Sequence, residues 1–114
     1  MAIRRDSFPS DDDGETLYSL AVRGVDLRLK RKIDFYCHVK DCETAKRICE
    51  DLITYGYNVS IFESKYENRI SDISVYMSIE ILPKYEILIM EQNRINLLLS
   101  DYGVKCDGWG TLVS

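Results

Sequence analysis

The stretch IDFYCHVKDCETAKRICEDLITYGYNVSI, Ile33 to Ile61, decides the fold. Its opening alternates: Ile33, Phe35, Cys37 and Val39 fall on one face, and Asp34, Tyr36 and His38 on the other, the period of a half-buried strand. At Asp41 the period changes. Asp41 is suited to cap a helix running to Tyr55, with an inner stripe of Cys42, Ala45, Cys49, Leu52 and Ile53 at the spacing of a 3.6-residue turn. Gly56 ends that helix, and Tyr57, Val59 and Ile61 alternate again as a second strand.

The same unit follows once more. Glu63 to Arg69 is polar and reads as a turn. A long third strand then carries Ile73, Val75, Met77, Ile79 and Ile81 on one side and Ser74, Tyr76, Ser78 and Glu80 on the other. Pro83 suits the first turn of a helix, where its missing N–H costs nothing. That helix runs to Tyr102 and stops at Gly103, with Ile87, Leu88, Ile95, Leu98, Leu99 and Tyr102 as its apolar face. Val104 to Trp109 reads as a final strand. Upstream, Asp11 to Gly24 reads as a helix: Asp11, Asp12 and Asp13 favour its positive end, and Leu17, Leu20 and Ala21 follow at helical spacing. Residues 1–10 are expected to be a flexible tail, leaving 11–114 as a single domain. The expected class is α+β: a ferredoxin-like, split βαβ, four-stranded antiparallel sheet with two helices on one face, plus the N-terminal helix.

Composition excludes several classes. The chain has 114 residues, enough for one domain. Nineteen acidic against fifteen basic side chains give a net charge of -4, which opposes generic nucleic-acid binding because counterion release needs a surplus of Lys and Arg. The apolar runs, such as Ile87 to Met90, fall far short of the roughly 20 residues that span a bilayer, so no membrane association is expected. Met1 to Ser10 has no apolar core of a signal peptide, and the expected compartment is the cytoplasm.

Nor does the chain carry the marks of an enzyme. Cys37, Cys42, Cys49 and Cys106 contain no C-x-x-C pair and His38 is the lone histidine, so the cysteines read as core residues rather than metal ligands. Pleating sends Cys37 and His38 to opposite faces, which argues against a Cys–His dyad. The run Asp11-Asp12-Asp13 with Glu15 lacks the alternating spacing of a calcium loop. No phosphate-binding, dinucleotide or zinc-protease motif occurs, so no cofactor is expected.

The sheet face away from the helices holds the remaining candidates. Tyr36 and Tyr76 lie there, with Phe62 and Trp109 as candidate neighbours. RNA-recognition motifs stack bases on aromatics at these two inner strands. The basic-Gly-aromatic pattern of such strands is missing from Ile73 to Ser78, however, and the net charge opposes RNA. Solvated aromatics on an open sheet are uncommon, so the N-terminal helix or a partner is expected to cover this face. Ile89 and Leu97 fall off the main stripe of the last helix as a weak contact patch, while Glu91 falls within the stripe and is expected to reach a rim or pair with a cation.

These residues together resemble the regulator of ribonuclease E activity B (RraB) family. The resemblance is carried by Asp11-Asp12-Asp13-Gly14, Leu17, Leu20, Gly24 and Asp26-Leu27, then Ile33-Asp34-Phe35-Tyr36. Gly56-Tyr57-Asn58-Val59, Tyr102-Gly103 and Asp107-Gly108-Trp109-Gly110 continue it, in order, from Asp11 to Gly110. Asp-Gly-Trp is its most specific element. The resemblance implies a ferredoxin-like α+β fold and an acidic, non-enzymatic cytoplasmic protein that binds ribonuclease E, or another nuclease, and lowers its RNA cleavage. On that reading Asp11 to Asp13 meet a basic, RNA-binding segment, and Trp109 anchors affinity. The structural alternative gives Asp107 a turn bond, Gly108 a tight backbone and Trp109 a place over the sheet end. An immunity or antitoxin-like protein guarding against a nuclease toxin is the rival, and direct RNA binding a third reading. A homodimer stays open.

Overall fold

The computed structural model describes residues 3–66 and 69–112. Among these residues the elements are α1 (Asp12–Val22), β1 (Arg31–Val39), α2 (Cys42–Thr54), β2 (Asn58–Tyr66), β3 (Arg69–Ile81), α3 (Tyr85–Leu99) and β4 (Gly108–Gly110), with 3-10 turns at Arg5–Ser7 and Ser100–Tyr102. The strands form one sheet in the order β2-β3-β1-β4, each neighbour antiparallel. β1 and β2 therefore run parallel with β3 inserted between them, which is the ferredoxin-like split βαβ arrangement.

Helix ends follow local chemistry. The Asp11 carboxylate accepts the Gly14 N–H at 2.9 Å and Asp41 accepts the Thr44 N–H at 2.7 Å, so each satisfies a free amide of a first turn. Gly24 and Gly56 take φ of +91° and +93°. There they close paired bonds, Val25 N–H to Leu20 C=O and Tyr57 N–H to Leu52 C=O, which turn the chain back towards the sheet. Pro83 departs from expectation. It precedes the N-cap Lys84 and is fully buried, so the helix starts at Tyr85 and the proline fixes the approach instead of the first turn.

Register puts Ile33, Phe35, Cys37 and Val39 opposite Ile79, Met77, Val75 and Ile73, and this face carries the core. On α2 the buried residues are Ala45, Ile48 and Leu52, while Cys42 and Cys49 are half-buried and Ile53 is 60% exposed. The expected stripe was therefore rotated: the sheet takes the 45/48/52 ridge, and Ile53 points to solvent. Burial also fades along β2, from Tyr57 at 3% exposed just before the strand to Ile61 at 39%. The reason is geometric. β1 ends at Val39 opposite Ile73, whereas β2 and β3 pair on through Tyr66 and Arg69 as a two-stranded ribbon beyond the body. The stretch from Glu63 is accordingly strand rather than turn, with a register shift at Ser64/Lys65; the reversal at 67–68 lies outside the described residues.

The N-terminal helix lies on the helical side of the sheet and not on its outer face, contrary to expectation. Leu17 and Leu20 join the core and α1 packs against α3. Within residues 1–10, Arg5 donates to Phe8 C=O, Pro9 C=O and the Glu15 carboxylate, and the Phe8 ring meets Tyr18 edge-on at 6.0 Å. The last strand is short, only Gly108 to Gly110. Glu91 is buried at 6% exposed; it accepts the Tyr57 hydroxyl, with Arg94 Nη1 3.6 Å away and the Arg94 guanidinium over the Tyr57 ring.

Candidate interaction surface

Strand alternation leaves one face of the sheet without helices. Across it, β1 presents Asp34, Tyr36 and His38; β3 presents Asp72, Ser74, Tyr76 and Ser78; β2 presents Ser60 and Phe62. Tyr36 and Tyr76 are directly paired, with ring centroids 5.6 Å apart, and Phe62 meets Tyr76 edge-on at 5.2 Å. Phe62 is 58% exposed. A shallow groove of about 490 Å³ runs along this face from Lys32 and Asp34 to Phe62 and Tyr76.

His38 stands at the end of the aromatic row, exposed. Its Nδ1 is 3.1 Å from Ser74 Oγ and 3.3 Å from an Asp72 carboxylate oxygen, and its Nε2 is 3.6 Å from Asp107. Serine, histidine and carboxylate here do not make a nucleophilic triad. Ser74 Oγ and the Asp72 carboxylate both lie against Nδ1, whereas a triad puts hydroxyl and carboxylate on opposite ring nitrogens, and Asp107, across the ring, is 3.6 Å from Nε2. Cys37 points the other way, into the core, where burial pushes its thiol up to about 12. Burial also raises Cys49 and Cys106, and a hydrogen bond to Glu63 raises Cys42. The shifts all run against thiolate formation. Among the described residues no group of His, Cys, Asp or Glu is placed to hold a metal ion.

Asp107-Gly108-Trp109 divides its work between the two sides of the sheet. The Asp107 N–H donates to Tyr36 C=O at 2.8 Å, while its carboxylate faces His38. Gly108 lies beneath Tyr36: a Cβ there would sit 2.7 Å from Tyr36 Oη. Trp109 pairs with Phe35 and is 9% exposed, so it lies on the core face and not beside Tyr36 and Tyr76. Its Nε1–H donates to Asp13 at 2.8 Å, tying β4 to α1.

The three N-terminal carboxylates therefore have different surroundings. Asp11 caps α1 and accepts the Tyr85 hydroxyl, and the Tyr85 and Gly14 hydrogen bonds hold its carboxyl below the usual range. Asp12 is exposed and Asp13 half-buried against Trp109. The structure thus brings Asp13 to Trp109, Tyr36 to Tyr76, and Asp107 to His38, and keeps the acidic N-terminus on the opposite side from the tyrosines. Asp72 was missed by sequence reasoning. Carrying the β1–β3 register two residues past His38↔Ser74 would have placed it there.

No helix among the described residues is long and apolar enough to cross a membrane. No curated protein sequence matches the chain. The family described as regulator of ribonuclease activity B matches residues 10–111, nearly the whole chain and the span over which fold and Asp-Gly-Trp geometry have just been traced. The chain belongs to the RraB family.

Proposed function

We propose that this chain is a non-catalytic cytoplasmic regulator that binds a nuclease of the ribonuclease E type stoichiometrically and lowers its cleavage of RNA. The family match over residues 10–111 carries the reading. The net charge of -4 supports a protein target with a basic surface over direct RNA binding. Asp11, Asp12 and Asp13 contribute at long range. Asp11 and Asp13 accept hydrogen bonds from neutral donors, so the cluster still steers a cationic partner, although two of its members have short-range contacts within the chain. Trp109 is closed in by the core, so affinity falls to the exposed aromatics of the other face.

The test is cleavage of an end-labelled RNA by purified ribonuclease E with increasing amounts of the chain. Inhibition is expected to saturate near equimolar ratio and to persist when RNA is raised. Cleavage unchanged at large excess refutes the reading. Inhibition relieved by RNA, together with salt-sensitive RNA binding by the chain, favours a base-stacking role for Tyr36 and Tyr76 instead.

A further inference from the structure

The geometry points to the outer sheet face as a docking site for an extended, arginine-bearing peptide segment. This assignment rests on the regulator reading for the identity of the partner and on surface chemistry for the class of ligand.

Three observations converge. The first is a ring platform: Tyr76 touches both Tyr36 and Phe62, with the small residues Ser60, Ser74 and Gly108 beside them and the Phe62 ring more than half exposed. The second is charge. Lys32, at one end of the groove, stands opposite Glu80 in the strand register, and the carboxylates around the rings are Asp34, Asp72 and Asp107. His38 lies between Asp72 and Asp107, so two carboxylates flank this end of the platform, with Lys40 and Lys105 lining the cleft beyond it. The third is shape: the groove of about 490 Å³ runs from Lys32 and Asp34 across β3 to Phe62 on β2, opens beside the rings and leaves room for a long side chain.

Guanidinium satisfies all three. It stacks on tyrosine, gives up its hydration more readily than ammonium, and forks onto carboxylates. A phosphate backbone laid on the same rings would meet Asp34, Asp72 and Asp107; base-stacking platforms instead line their rings with cations. A second copy stacked face to face would bring the same carboxylates towards one another. Position matters too. Asp107 and Gly108 reach this platform through the Tyr36 carbonyl and ring, so part of the Asp-Gly-Trp element shapes the docking face while Trp109 holds the strand to the core.

The experiment titrates the isotope-labelled chain with a short glycine-serine peptide carrying three spaced arginines, its all-lysine counterpart, and an oligouridylate. The arginine peptide is expected to shift amides of Ser60, Phe62, Ser74 and Tyr76, and to bind more tightly than the lysine peptide. Phe62→Ala, and Asp72→Asn combined with Asp107→Asn, should each weaken it about tenfold, while Glu86→Gln on α3 leaves it unchanged. Thermal melts confirm that the variants fold. The assignment is overturned by no binding, by shifts confined to the helical side, by equal binding of arginine and lysine peptides unaffected by the variants, or by oligouridylate binding the same face more tightly. Concentration-dependent shifts there without ligand overturn it in favour of self-association. The same variants in the cleavage assay separate the two readings. If the wild-type chain inhibits and the variants inhibit equally, the docking face is wrong and the regulator stands. If the wild-type chain does not inhibit, the regulator reading falls and the peptide titration alone decides the face.

Discussion

Trp109 offers a measurable separation of packing from hydrogen bonding. Its ring is 9% exposed and lies opposite Phe35, and its Nε1–H donates to Asp13 at 2.8 Å. Trp109→Ala removes a large buried aromatic and should cost about 3–5 kcal/mol. In a domain of this size that lowers the melting temperature by on the order of 10 °C or more. Trp109→Phe keeps most of the packing but strips the donor from a half-buried carboxylate. Hydrogen bonds to charged groups contribute about 1.5–3 kcal/mol, and the water access of Asp13 brings the expected loss to about 1–2 kcal/mol. Asp13→Ala should lose a similar amount. Because the two changes remove one interaction, the double variant should fall short of their sum by about 1–2 kcal/mol. Urea denaturation of wild type, both single variants and the double variant measures this directly. Coupling below about 0.5 kcal/mol would mean that the α1–β4 tie contributes nothing. Trp109→Ala with an unchanged melting temperature but lost partner binding would make Trp109 an interface anchor, and the placement argued above would be wrong.

Other expectations follow from particular contacts. Gly14→Ala should destabilise by more than about 1 kcal/mol in thermal melts, reversing the usual gain from alanine in a helix, because its Cβ would lie 2.0 Å from Pro9 O; a rise in stability would show that the N-terminal segment does not pack there. Ile48→Ala should cost about 2–5 kcal/mol and Ile53→Ala less than about 0.5 kcal/mol, and the opposite order would restore the stripe first read from the sequence. Glu91→Ala leaves the buried Tyr57 hydroxyl without its acceptor, a loss of about 1–3 kcal/mol; Glu91→Gln, whose amide oxygen still accepts, should lose clearly less, and equal losses would count against the bond. Acid should destabilise the fold as pH drops from about 4 towards 2. Asp11, Asp26 and Asp41 are held below 3.8 by the Tyr85 hydroxyl, Arg28 and the Thr44 amide respectively, Asp26 at about 2. A carboxyl lowered on folding stabilises above its unfolded value and loses that contribution as pH falls through its folded one. Melting temperature against pH should therefore flatten at the acid end in Asp11→Asn and Asp41→Asn, and an unaltered profile would assign acid unfolding elsewhere.

The fold was legible because two signals agreed at each element. Alternation from Ile33 to Val39 and from Ile73 to Ile81 named the buried face of both central strands, and Asp11, Asp41, Gly24 and Gly56 marked helix ends by requirements that only a few side chains meet. Errors fell where one signal stood alone. On α2, Ile48 and Ile53 are equally apolar, and which one turns inward depends on how the helix lies over the sheet. Past Glu63 the chain is polar, which reads as a turn; it stays in strand because β3 pairs with it as far as Tyr66↔Arg69.

The surface was harder to see for a different reason. Periodicity says which residues leave the core, and it placed Tyr36 and Tyr76 together correctly, but it is silent about distances across strands that are far apart in sequence. Whether Trp109 joins those tyrosines turns on one residue of register. Paired with Phe35 it faces the core; shifted by one it would have stood on the outer face with Gly108 inside. Gly108 fits the first register, because the end of the Tyr36 ring lies over it and a Cβ there, 2.7 Å from Tyr36 Oη, would make the ring move aside. A motif that looks like a single recognition element is thus split by the pleat: its aromatic secures the strand, its glycine makes room for a ring on the other side, and its carboxylate joins Asp72 at the rim of that ring's platform. Substitutions along the three residues should therefore separate, with Trp109 costing stability and Asp107 and Gly108 costing binding.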